Sequence, residues 1–319
     1  MTWLGQQARL PPRQELVNTL EFEEAAKRVL PPPVFATIAG SDRAAFDRMT
    51  FRPRMMVSAL DMDLSVELLG ETLFTPILVG PVADQRRYHA DGELATVRGA
   101  SAARAVMIVS SRSSTPMGEI AAQAKTPLWY SVYPDANART QVAQALDAGC
   151  KTVFITIGAP EQPGSRPRTT AIDWKAIEDI RRGLDVPVVI KGVMTPQHAK
   201  TAIDAGVRGV VVSDYGGVVS DKQAPIEALA SIVEACAGKA AVLVDGSFRR
   251  GSDITKALVL GAQGVLLARP IMWGLAAYGA GGVQTIIEML QSDLGRNMGA
   301  LGAPNLESLN RDMVRIHRR

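Results

Sequence analysis

The feature that most constrains the fold of this chain is a series of short apolar segments between residues 76 and 270, which alternate with amphipathic segments. Most of these apolar segments are nearly continuous, as is typical of parallel strands that are covered on both faces. The predicted strands cover residues 76–82, 106–111, 127–133, 152–158, 187–193, 209–215, 241–247 and 264–270. The segments between them have helical periodicity, for example residues 224–237, which carry one apolar stripe.

Eight β/α units in succession favour an α/β fold of the closed (β/α)8 TIM barrel type. An open, doubly wound sheet is the alternative. The segment Gly80-Pro-Val-Ala-Asp84, at the end of the first strand, lacks the glycine fingerprint of that fold. The sequence therefore predicts a barrel.

The rest of the chain is predicted to pack on the barrel as part of one structural domain. Residues 1–75 form an N-terminal helical extension, and residues 76–319 form the barrel with its C-terminal helices. Within these two parts we expect helices over 15–29 and 34–48, an extended excursion or small hairpin over 50–75, and further helices over 271–317.

The composition restricts the class of protein. Apolar residues make up 47% of the 319 residues and charged residues 21%, which favours a large folded core over disorder. The net charge is only +3. The most basic segment is expected to be a solvated helix end and contains Arg311, Arg315, Arg318 and Arg319. The charge therefore argues against a nucleic-acid partner.

The two cysteines, Cys150 and Cys236, lie beside or within apolar segments and are predicted to be small core residues in a reducing compartment. No spacing resembles a zinc or iron–sulfur site, so no metal is predicted. The first residues lack a basic segment followed by an apolar run, and no apolar stretch is long enough to span a bilayer. The sequence predicts a cytoplasmic protein.

Polar residues follow almost every predicted strand, at the barrel end where TIM-barrel active sites lie. They are Gln85, Ser110, Ser111, Ser131, Tyr133, Thr156, Lys191, Ser213, Asp214, Tyr215, Asp245 and Arg269. Some of the serines are explained as helix caps. Lys191 ends an apolar run and is predicted to point into the barrel mouth. None of the three histidines lies at a predicted strand end, so no histidine base is evident.

The last two predicted strands end in arginine-containing segments, Asp245-Gly-Ser-Phe-Arg-Arg-Gly251 and Ala268-Arg-Pro270. Loops at these places in TIM barrels frequently bind phosphate through backbone N–H groups, a helix N-terminus and an arginine. The segments therefore indicate a phosphorylated cofactor. The alternative is a surface salt bridge of Arg249 or Arg250 with a neighbour.

Together these segments resemble the FMN-dependent α-hydroxy acid oxidase and dehydrogenase family. The resemblance rests on Ile190-Lys-Gly-Val193, Ser213-Asp-Tyr-Gly-Gly217 with Asp221, Asp245-Gly-Ser-Phe-Arg-Arg-Gly251, Arg269-Pro-Ile-Met-Trp-Gly274, Phe51-Arg-Pro-Arg54 and His89-Ala-Asp-Gly-Glu93. It begins at about residue 15 and covers nearly the whole remaining chain. It implies FMN as cofactor, a small-molecule substrate and a homo-oligomer, commonly a tetramer.

By the same resemblance, a set of residues would hold FMN. Val82 and Ala83 would contact the ring through their backbone, and Lys191 would lie near its pyrimidine end. The other implied contacts are Ser110, Ser131 and Thr156 to the polar ring edge, Ser213 to the ribityl chain or ring edge, Asp245 with Gly246 to the ribityl hydroxyls, and Arg249, Ala268 and Arg269 to the phosphate. Ser131 is shorter than the glutamine that the family usually has there.

The substrate side departs from the family. Tyr215 stands at the position of the catalytic histidine, and Gly158 at that of the aspartate that orients the histidine. Val218 stands at the position of the carboxylate-binding arginine, and Thr37 at that of the first active-site tyrosine. Among the substrate-facing residues, Tyr133 is retained, and Arg166 matches a second arginine if one residue is inserted before it. A neutral tyrosine, with an ordinary pKa of about 10, is a poor base near neutral pH.

Three functions remain open on these residues. The first is an FMN-dependent oxidoreductase acting on a different small molecule, with Tyr215 and Tyr133 as hydrogen-bonding or acid groups and Lys191 tuning the flavin. The second is a catalytically silent flavin-binding or partner protein. The third is oxidation of a 2-hydroxy acid with a replaced base.

Overall fold

The structure, a computed structural model, describes residues 10–40, 42–53, 61–158, 172–215 and 223–317. Its N-terminal part contains three helices, α1 (Thr19–Val29), α2 (Pro32–Ala36) and α3 (Ala44–Asp47). The side chain of Asn18 caps α1. The predicted helix over 15–29 is confirmed in its larger part. The predicted helix over 34–48 is interrupted, because Gly40 has a φ of +65°, which a right-handed helix does not contain.

A short strand β1 (Met49–Phe51) follows, and then an antiparallel hairpin of β2 (Val66–Leu68) and β3 (Glu71–Leu73). The sequence predicts an extended excursion or a small hairpin in this part of the chain, and the structure shows the hairpin. Leu68 and Leu73 are buried against the interior of the barrel, so the hairpin closes the N-terminal end of the barrel. Residues 54–60, including Arg54 of the family motif, lie outside the described residues.

Eight parallel strands form a closed barrel, which confirms the predicted (β/α)8 fold. They are β4 (Ile77–Val79), β5 (Met107–Ser110), β6 (Leu128–Val132), β7 (Val153–Thr156), β8 (Val188–Val193), β9 (Gly209–Val212), β10 (Ala241–Val244) and β11 (Gly264–Leu267). All eight occur where the sequence predicts them, but most end earlier. Tyr215 and Gly246 have φ angles of +57° and +101°, so the chain has left the extended conformation after β9 and β10.

Helices cover the outside of the barrel. They are α4 (Gly92–Ala102), α5 (Met117–Gln123), α6 (Ala138–Asp147), α7 (Trp174–Arg181), α8 (Pro196–Asp204), α9 (Pro225–Cys236), α10 (Gly251–Val259) and α11 (Arg269–Ala300). The helix predicted over 224–237 is α9. The long α11 is kinked where Tyr278 and Gly279 leave the helical conformation. Among the described residues, no helix is long and apolar enough to cross a membrane.

The end of the chain corrects one prediction. Residues 271–317 are predicted to supply helices, but their last part is a strand, β12 (Val314–Ile316), which pairs antiparallel with β1. A strand of three residues is too short to show the alternation that identifies a strand in a sequence. This pair ties the C-terminal end of the chain to the N-terminal extension.

The interior of the barrel is filled by one layer of apolar side chains, with one residue from each strand. They are Leu78, Ile108, Trp129, Phe154, Val189, Val211, Leu243 and Leu266. The rings of Trp129 and Phe154 stack with their centroids 5.7 Å apart. Because this layer is packed, a ligand site has to lie above it, at the C-terminal ends of the strands.

Candidate functional site

The polar side chains of the site form the next layer of the barrel. Side chains alternate across a strand, so the residue two positions after each interior residue also faces inward. Applied to the apolar layer, this rule gives Gly80, Ser110, Ser131, Thr156, Lys191, Ser213, Asp245 and Ala268. All except Gly80 are residues that the sequence analysis assigns to the site. The strand period therefore explains why they occur together.

A cavity of about 460 Å³ opens above this layer. Its lining consists of residues 36–39 from the N-terminal extension, Gly80, Pro81, Val82, Tyr88, Lys191, Tyr215, residues 245–249, residues 266–270 and Met272. The cavity thus brings Lys191 and Tyr215 together with the two arginine-containing segments. Ala83, Ser110, Ser131, Tyr133, Thr156 and Ser213 are not among the residues that line it. The hydroxyl oxygens of Ser131 and Thr156 lie 3.0 Å apart in a hydrogen bond.

Lys191 lies at the centre of the polar layer and is buried. Its Nζ donates to Asp245 Oδ2 at 2.6 Å and to Ser213 Oγ at 2.7 Å. The ion pair compensates a charge that would be costly to bury alone. Asp245 Oδ1 is also buried and has no partner among the described residues. The carboxylate therefore has acceptor capacity to offer a ligand in the cavity.

A β-bulge in β8 follows Lys191. The register with β9 shifts between Lys191 and Val193, and Gly192 between them has a φ of +113°. A Cβ atom at Gly192 would clash with the carbonyl oxygen of Ile157 and lie 3.0 Å from the hydroxyl oxygen of Tyr215. The position therefore requires glycine, both for its backbone conformation and for the close approach of β7 and Tyr215.

Tyr215 is fixed by its backbone and by its hydroxyl. Its φ of +57° lies in the left-handed region, which is uncommon for a residue other than glycine. Its hydroxyl lies within hydrogen-bonding distance of two backbone oxygens, Ile157 O and, at 3.3 Å, Lys191 O. Burial raises the pKa of Tyr215 well above its ordinary value, and the nearby Tyr133 and Asp245 raise it further. Tyr215 is therefore a neutral hydrogen-bond donor at neutral pH.

Two arginines form the cationic end of the cavity. Nη2 of Arg249 and Nη1 of Arg269 both donate to the carbonyl oxygen of Gly40, at 3.1 and 2.8 Å. The Arg249 guanidinium also lies over the ring of Trp273, and its Nε is buried without a partner among the described residues. Burial, followed by the charge of Arg269, lowers the pKa of Arg249 to about 9. Arg249 is buried and Arg269 is partly buried. Two cations that share one neutral acceptor are suited to an anion.

Asp253 holds the loop that carries Arg249. Its Oδ2 accepts hydrogen bonds from the backbone N–H groups of Arg249 and Arg250, both at 2.9 Å, at the beginning of α10. Both carboxylate oxygens of Asp253 also accept from Arg43, at 2.6 and 2.8 Å. Burial of Asp253 is nearly complete, so this bidentate pair connects the N-terminal extension firmly to the arginine loop.

The structure also places Tyr88 at the cavity, a residue that the sequence analysis does not select. Its hydroxyl lies 3.1 Å from Thr37 Oγ1, and both residues line the cavity. Tyr88 lies in the loop after β4, too far beyond the end of that strand to be identified from the strand pattern. The sequence analysis aligns Thr37 with the family's first active-site tyrosine, and in the structure the phenol of Tyr88 lies beside Thr37.

Two further polar residues are given no site role in the sequence analysis, although Glu93 belongs to the family motif that ends there. Glu93 is fully buried and accepts hydrogen bonds from Gln85 N, Ser114 N, Ser114 Oγ and Thr115 Oγ1, so it ties the loop after β4 to the loop after β5. Arg112, in that second loop, lies over the ring of Tyr133, with its guanidinium carbon 3.8 Å from the ring centroid. Glu93 lies in α4 and Arg112 in a loop, so strand periodicity selects neither of them.

Some predicted residues cannot be placed. Val218, Arg166, Gly216, Gly217 and Asp221 lie outside the described residues, as do Arg318 and Arg319. Gly158, at the position of the family's orienting aspartate, has a φ of +68°. None of the three histidines is among the described residues that line the cavity. His89 Nδ1 accepts from Asp91 N, His198 lies in α8, and His317 Nε2 is hydrogen-bonded to Thr50 Oγ1.

Comparisons with known proteins agree with the fold and identify a family. A family described as FMN-dependent dehydrogenase matches residues 35–171 and 161–316. The peroxisomal (S)-2-hydroxyacid oxidase GLO3 of Arabidopsis thaliana is 33% identical, with 94% of this chain and 97% of the relative covered. The 4-hydroxymandelate oxidase of Amycolatopsis orientalis is 32% identical, with 92% and 97% covered.

The solved structures include a close structural match. A crystal structure of mandelate oxidase with (S)-2-phenylpropionate superposes with a TM-score of 0.87 at 32% identity, and covers 95% of this chain and 100% of the other. The family resemblance predicted from the sequence is confirmed, and with it FMN as the cofactor on which the family depends. The chain belongs to the FMN-dependent dehydrogenase family, whose members include 2-hydroxy acid oxidases.

Proposed function

We propose that this protein is an FMN-binding oxidoreductase that acts on a small molecule through a substrate site altered from that of the 2-hydroxy acid oxidases. The proposal has two parts. The first is that the cavity at the barrel mouth holds FMN, and the second is that Tyr215 serves there as a neutral donor in place of a base. Membership of the family supports the first part, and the geometry of Tyr215 supports the second.

The residues of the cavity fit FMN in the order of its chemical groups. Arg249 and Arg269, next to the N-terminus of α11, would bind the phosphate. The unpartnered Oδ1 of Asp245 would accept from a ribityl hydroxyl. Lys191 would lie beside the ring, and Val82 would contact it. A volume of about 460 Å³ is in the usual range for a cofactor site.

When bound, FMN supplies the capacity to accept two electrons from a substrate. The protein's own residues would then set the conditions around it. The buried Lys191 provides a fixed positive charge, held in place by Asp245 and Ser213, where negative charge would develop. Burial of the polar layer excludes water and strengthens this interaction.

The observation that carries the second part is the direction of the Tyr215 hydroxyl. It points to the backbone oxygens Ile157 O and Lys191 O, and its pKa is raised by burial. A group that donates to carbonyl oxygens and holds its proton tightly does not take a proton from a substrate. It can donate a hydrogen bond to a developing anion, once the hydroxyl turns from these carbonyls. Removal of a substrate proton by Tyr215 is therefore not part of the proposed mechanism.

The test starts from purified recombinant protein. We expect it to bind FMN with one equivalent per chain, measured by visible absorbance. Candidate donors, including lactate, glycolate and mandelate, are then added without oxygen, and bleaching of the flavin spectrum identifies a substrate. Tyr215→Phe should slow bleaching by the substrate without loss of FMN. The proposal fails if the protein binds no FMN, or if no donor or acceptor changes the flavin spectrum and Tyr215→Phe alters nothing.

The same preparation separates the two other readings. Rapid reoxidation of dithionite-reduced flavin by oxygen or a quinone would count against a catalytically silent protein. Rapid turnover of lactate, glycolate or mandelate would instead favour 2-hydroxy acid oxidation with a replaced base. The hydrogen-bonded hydroxyl of Tyr215 argues against 2-hydroxy acid oxidation with Tyr215 as the replaced base, although relatives of this chain are named as hydroxy acid oxidases.

Assembly and location complete the proposal. A homo-tetramer is expected from the family resemblance, and sedimentation of the FMN-loaded protein would measure it. A cytoplasmic location is expected from the sequence, and fluorescence of a tagged chain in its own cells would measure that. Several relatives are named as peroxisomal, so the location is to be measured and not transferred.

A further inference from the structure

We infer that Arg112 is the residue that holds the anionic group of the substrate, and that it does so from the loop after β5. The inference rests on the proposed function, because it concerns the substrate of the same enzyme, and it extends the substrate site beyond the residues that line the cavity. In the family the carboxylate-binding arginine would stand at Val218, after β9. Arg112 would therefore provide the cation from a different strand of the barrel, next to Tyr133.

The backbone of Arg112 is held on both sides. Its N–H donates to Ser110 Oγ at 3.2 Å, and its carbonyl oxygen accepts from Asp84 N at 2.9 Å. The following residues, Ser114 and Thr115, are bonded to the buried Glu93. A loop anchored at these points places the side chain of Arg112 reproducibly, as a binding residue requires.

The guanidinium of Arg112 lies beside Tyr133, the substrate-facing tyrosine of the sequence analysis. It covers the ring of Tyr133 at 3.8 Å. Tyr133 in turn lies close enough to Tyr215 to be the largest influence, after burial, on the pKa of Tyr215. Arg112 therefore contacts Tyr133, and Tyr133 is near Tyr215, which lines the cavity.

The charge of Arg112 is not paired with a carboxylate of the described residues. No carboxylate within the described ranges forms an ion pair with it, whereas Lys191 is paired with Asp245 and Arg43 with Asp253. Arg112 is exposed, and a guanidinium stacked on a ring leaves its N–H groups directed outward in its own plane. That arrangement suits a carboxylate, which takes two parallel hydrogen bonds from a guanidinium edge.

The experiment compares carboxylates with their amides. Calorimetry on the full-length protein, with and without added FMN, measures the binding of acetate, oxalate and benzoate and of the matching amides acetamide, oxamide and benzamide. The wild type should bind at least one carboxylate more tightly than its amide. Arg112→Gln should weaken binding of that carboxylate by at least about tenfold, because a charge-assisted hydrogen bond is lost. The affinities for the amide and for FMN should not change. The carboxylate affinity of Arg112→Lys should lie between those of the wild type and Arg112→Gln.

A matched control stands at the other end of the same strand. Arg104 precedes β5 and lies over the ring of Phe74 at 3.7 Å, a contact of the same kind far from the mouth. Arg104→Gln should change no titration. The inference is overturned if no carboxylate is preferred over its amide, if Arg112→Gln weakens both alike, or if Arg104→Gln has the same effect. Calorimetry needs no flavin signal, so a protein that binds no FMN would refute the proposed function while the titration still decides the role of Arg112.

Discussion

Lys191 provides the positive charge that compensates the Asp245 carboxylate in the site. Its ammonium group and the Asp245 carboxylate are 2.6 Å apart, with only 6% and 16% of their side chains exposed. Replacing Lys191 by methionine leaves a mostly buried carboxylate without its cation. We expect Lys191→Met to lower the free energy of unfolding of the cofactor-free protein by about 3 kcal/mol. The double variant Lys191→Met/Asp245→Asn should recover most of this loss in urea unfolding, and a purely additive result would contradict the pairing.

The raised pKa of Tyr215 predicts how the free energy of unfolding depends on pH. In the unfolded chain a tyrosine ionises near pH 10, whereas burial keeps the folded Tyr215 protonated beyond that pH. The raised pKa therefore stabilises the fold fully below about pH 10, and this contribution is lost as pH rises further, by up to about 1.4 kcal/mol per pH unit. In Tyr215→Phe the free energy of unfolding should fall less steeply between about pH 10 and about pH 11. Equal slopes would mean that Tyr215 ionises normally and would reopen its role as a base.

The residues of the site differ in how far the sequence could identify them. Lys191, Ser213 and Asp245 follow apolar runs at a fixed period, so the strand pattern alone indicates that they face inward. Tyr88 and Arg112 lie in loops, where no period relates position to direction. Their contacts depend on hydrogen bonds over many residues, such as those to Glu93, and these are visible only once the fold is known.

At the scale of elements, the bulge of β8 is the feature that shapes the site. Gly192→Ala would introduce a Cβ that clashes with Ile157 O, at a φ of +113°. Gly183, before the same strand, has a φ of +81° but nothing within 4 Å of such a Cβ. We expect Gly183→Ala to cost about 1–2 kcal/mol from backbone strain alone. Gly192→Ala should cost roughly 2–4 kcal/mol, because overpacking is added.

Chemical denaturation of both glycine variants measures these costs, and FMN titration gives a second observable. Gly192→Ala should also weaken FMN binding, since Lys191 and Tyr215 are positioned by the same bulge. Gly183→Ala should leave FMN affinity unchanged. Equal costs for the two variants would mean that the close approach to β7 relaxes without consequence.

The elements show where sequence patterns are informative and where they are not. Parallel strands covered on both faces produce long apolar runs, so all eight barrel strands are found from the sequence. Their C-terminal ends are less evident. There the backbone adopts positive φ at Tyr215 and Gly246, which is decided by contacts between strands. The pair of β1 and β12 joins segments from opposite ends of the chain, and each is too short to carry a pattern.

At the scale of the whole molecule, the N-terminal extension completes the cofactor site. Residues 36–39 line the cavity, and Gly40 supplies the carbonyl oxygen that Arg249 and Arg269 share. Thr19 Oγ1 donates to Arg249 O at 2.7 Å, and Trp273 Nε1 donates to Ile38 O at 2.9 Å. The extension and the barrel therefore meet at the proposed phosphate end, so their association and FMN binding should be coupled.

Two ion pairs that join the extension to the barrel test this coupling. The first pair joins Arg43 to the buried carboxylate of Asp253, which fixes the Arg249 loop. The second pair joins Arg48 to Glu227 of α9 and is more exposed, with side-chain exposures of 23% and 33%. Asp253→Asn should lower the free energy of unfolding by about 3 kcal/mol, because Arg43 then loses the buried carboxylate that compensates its charge. It should also reduce FMN affinity severalfold. Glu227→Gln should cost less than about 1 kcal/mol and leave FMN affinity unchanged, as measured by urea unfolding and FMN titration. If Asp253→Asn lost stability but bound FMN like the wild type, the extension would be a structural element only, and the phosphate end would form without it.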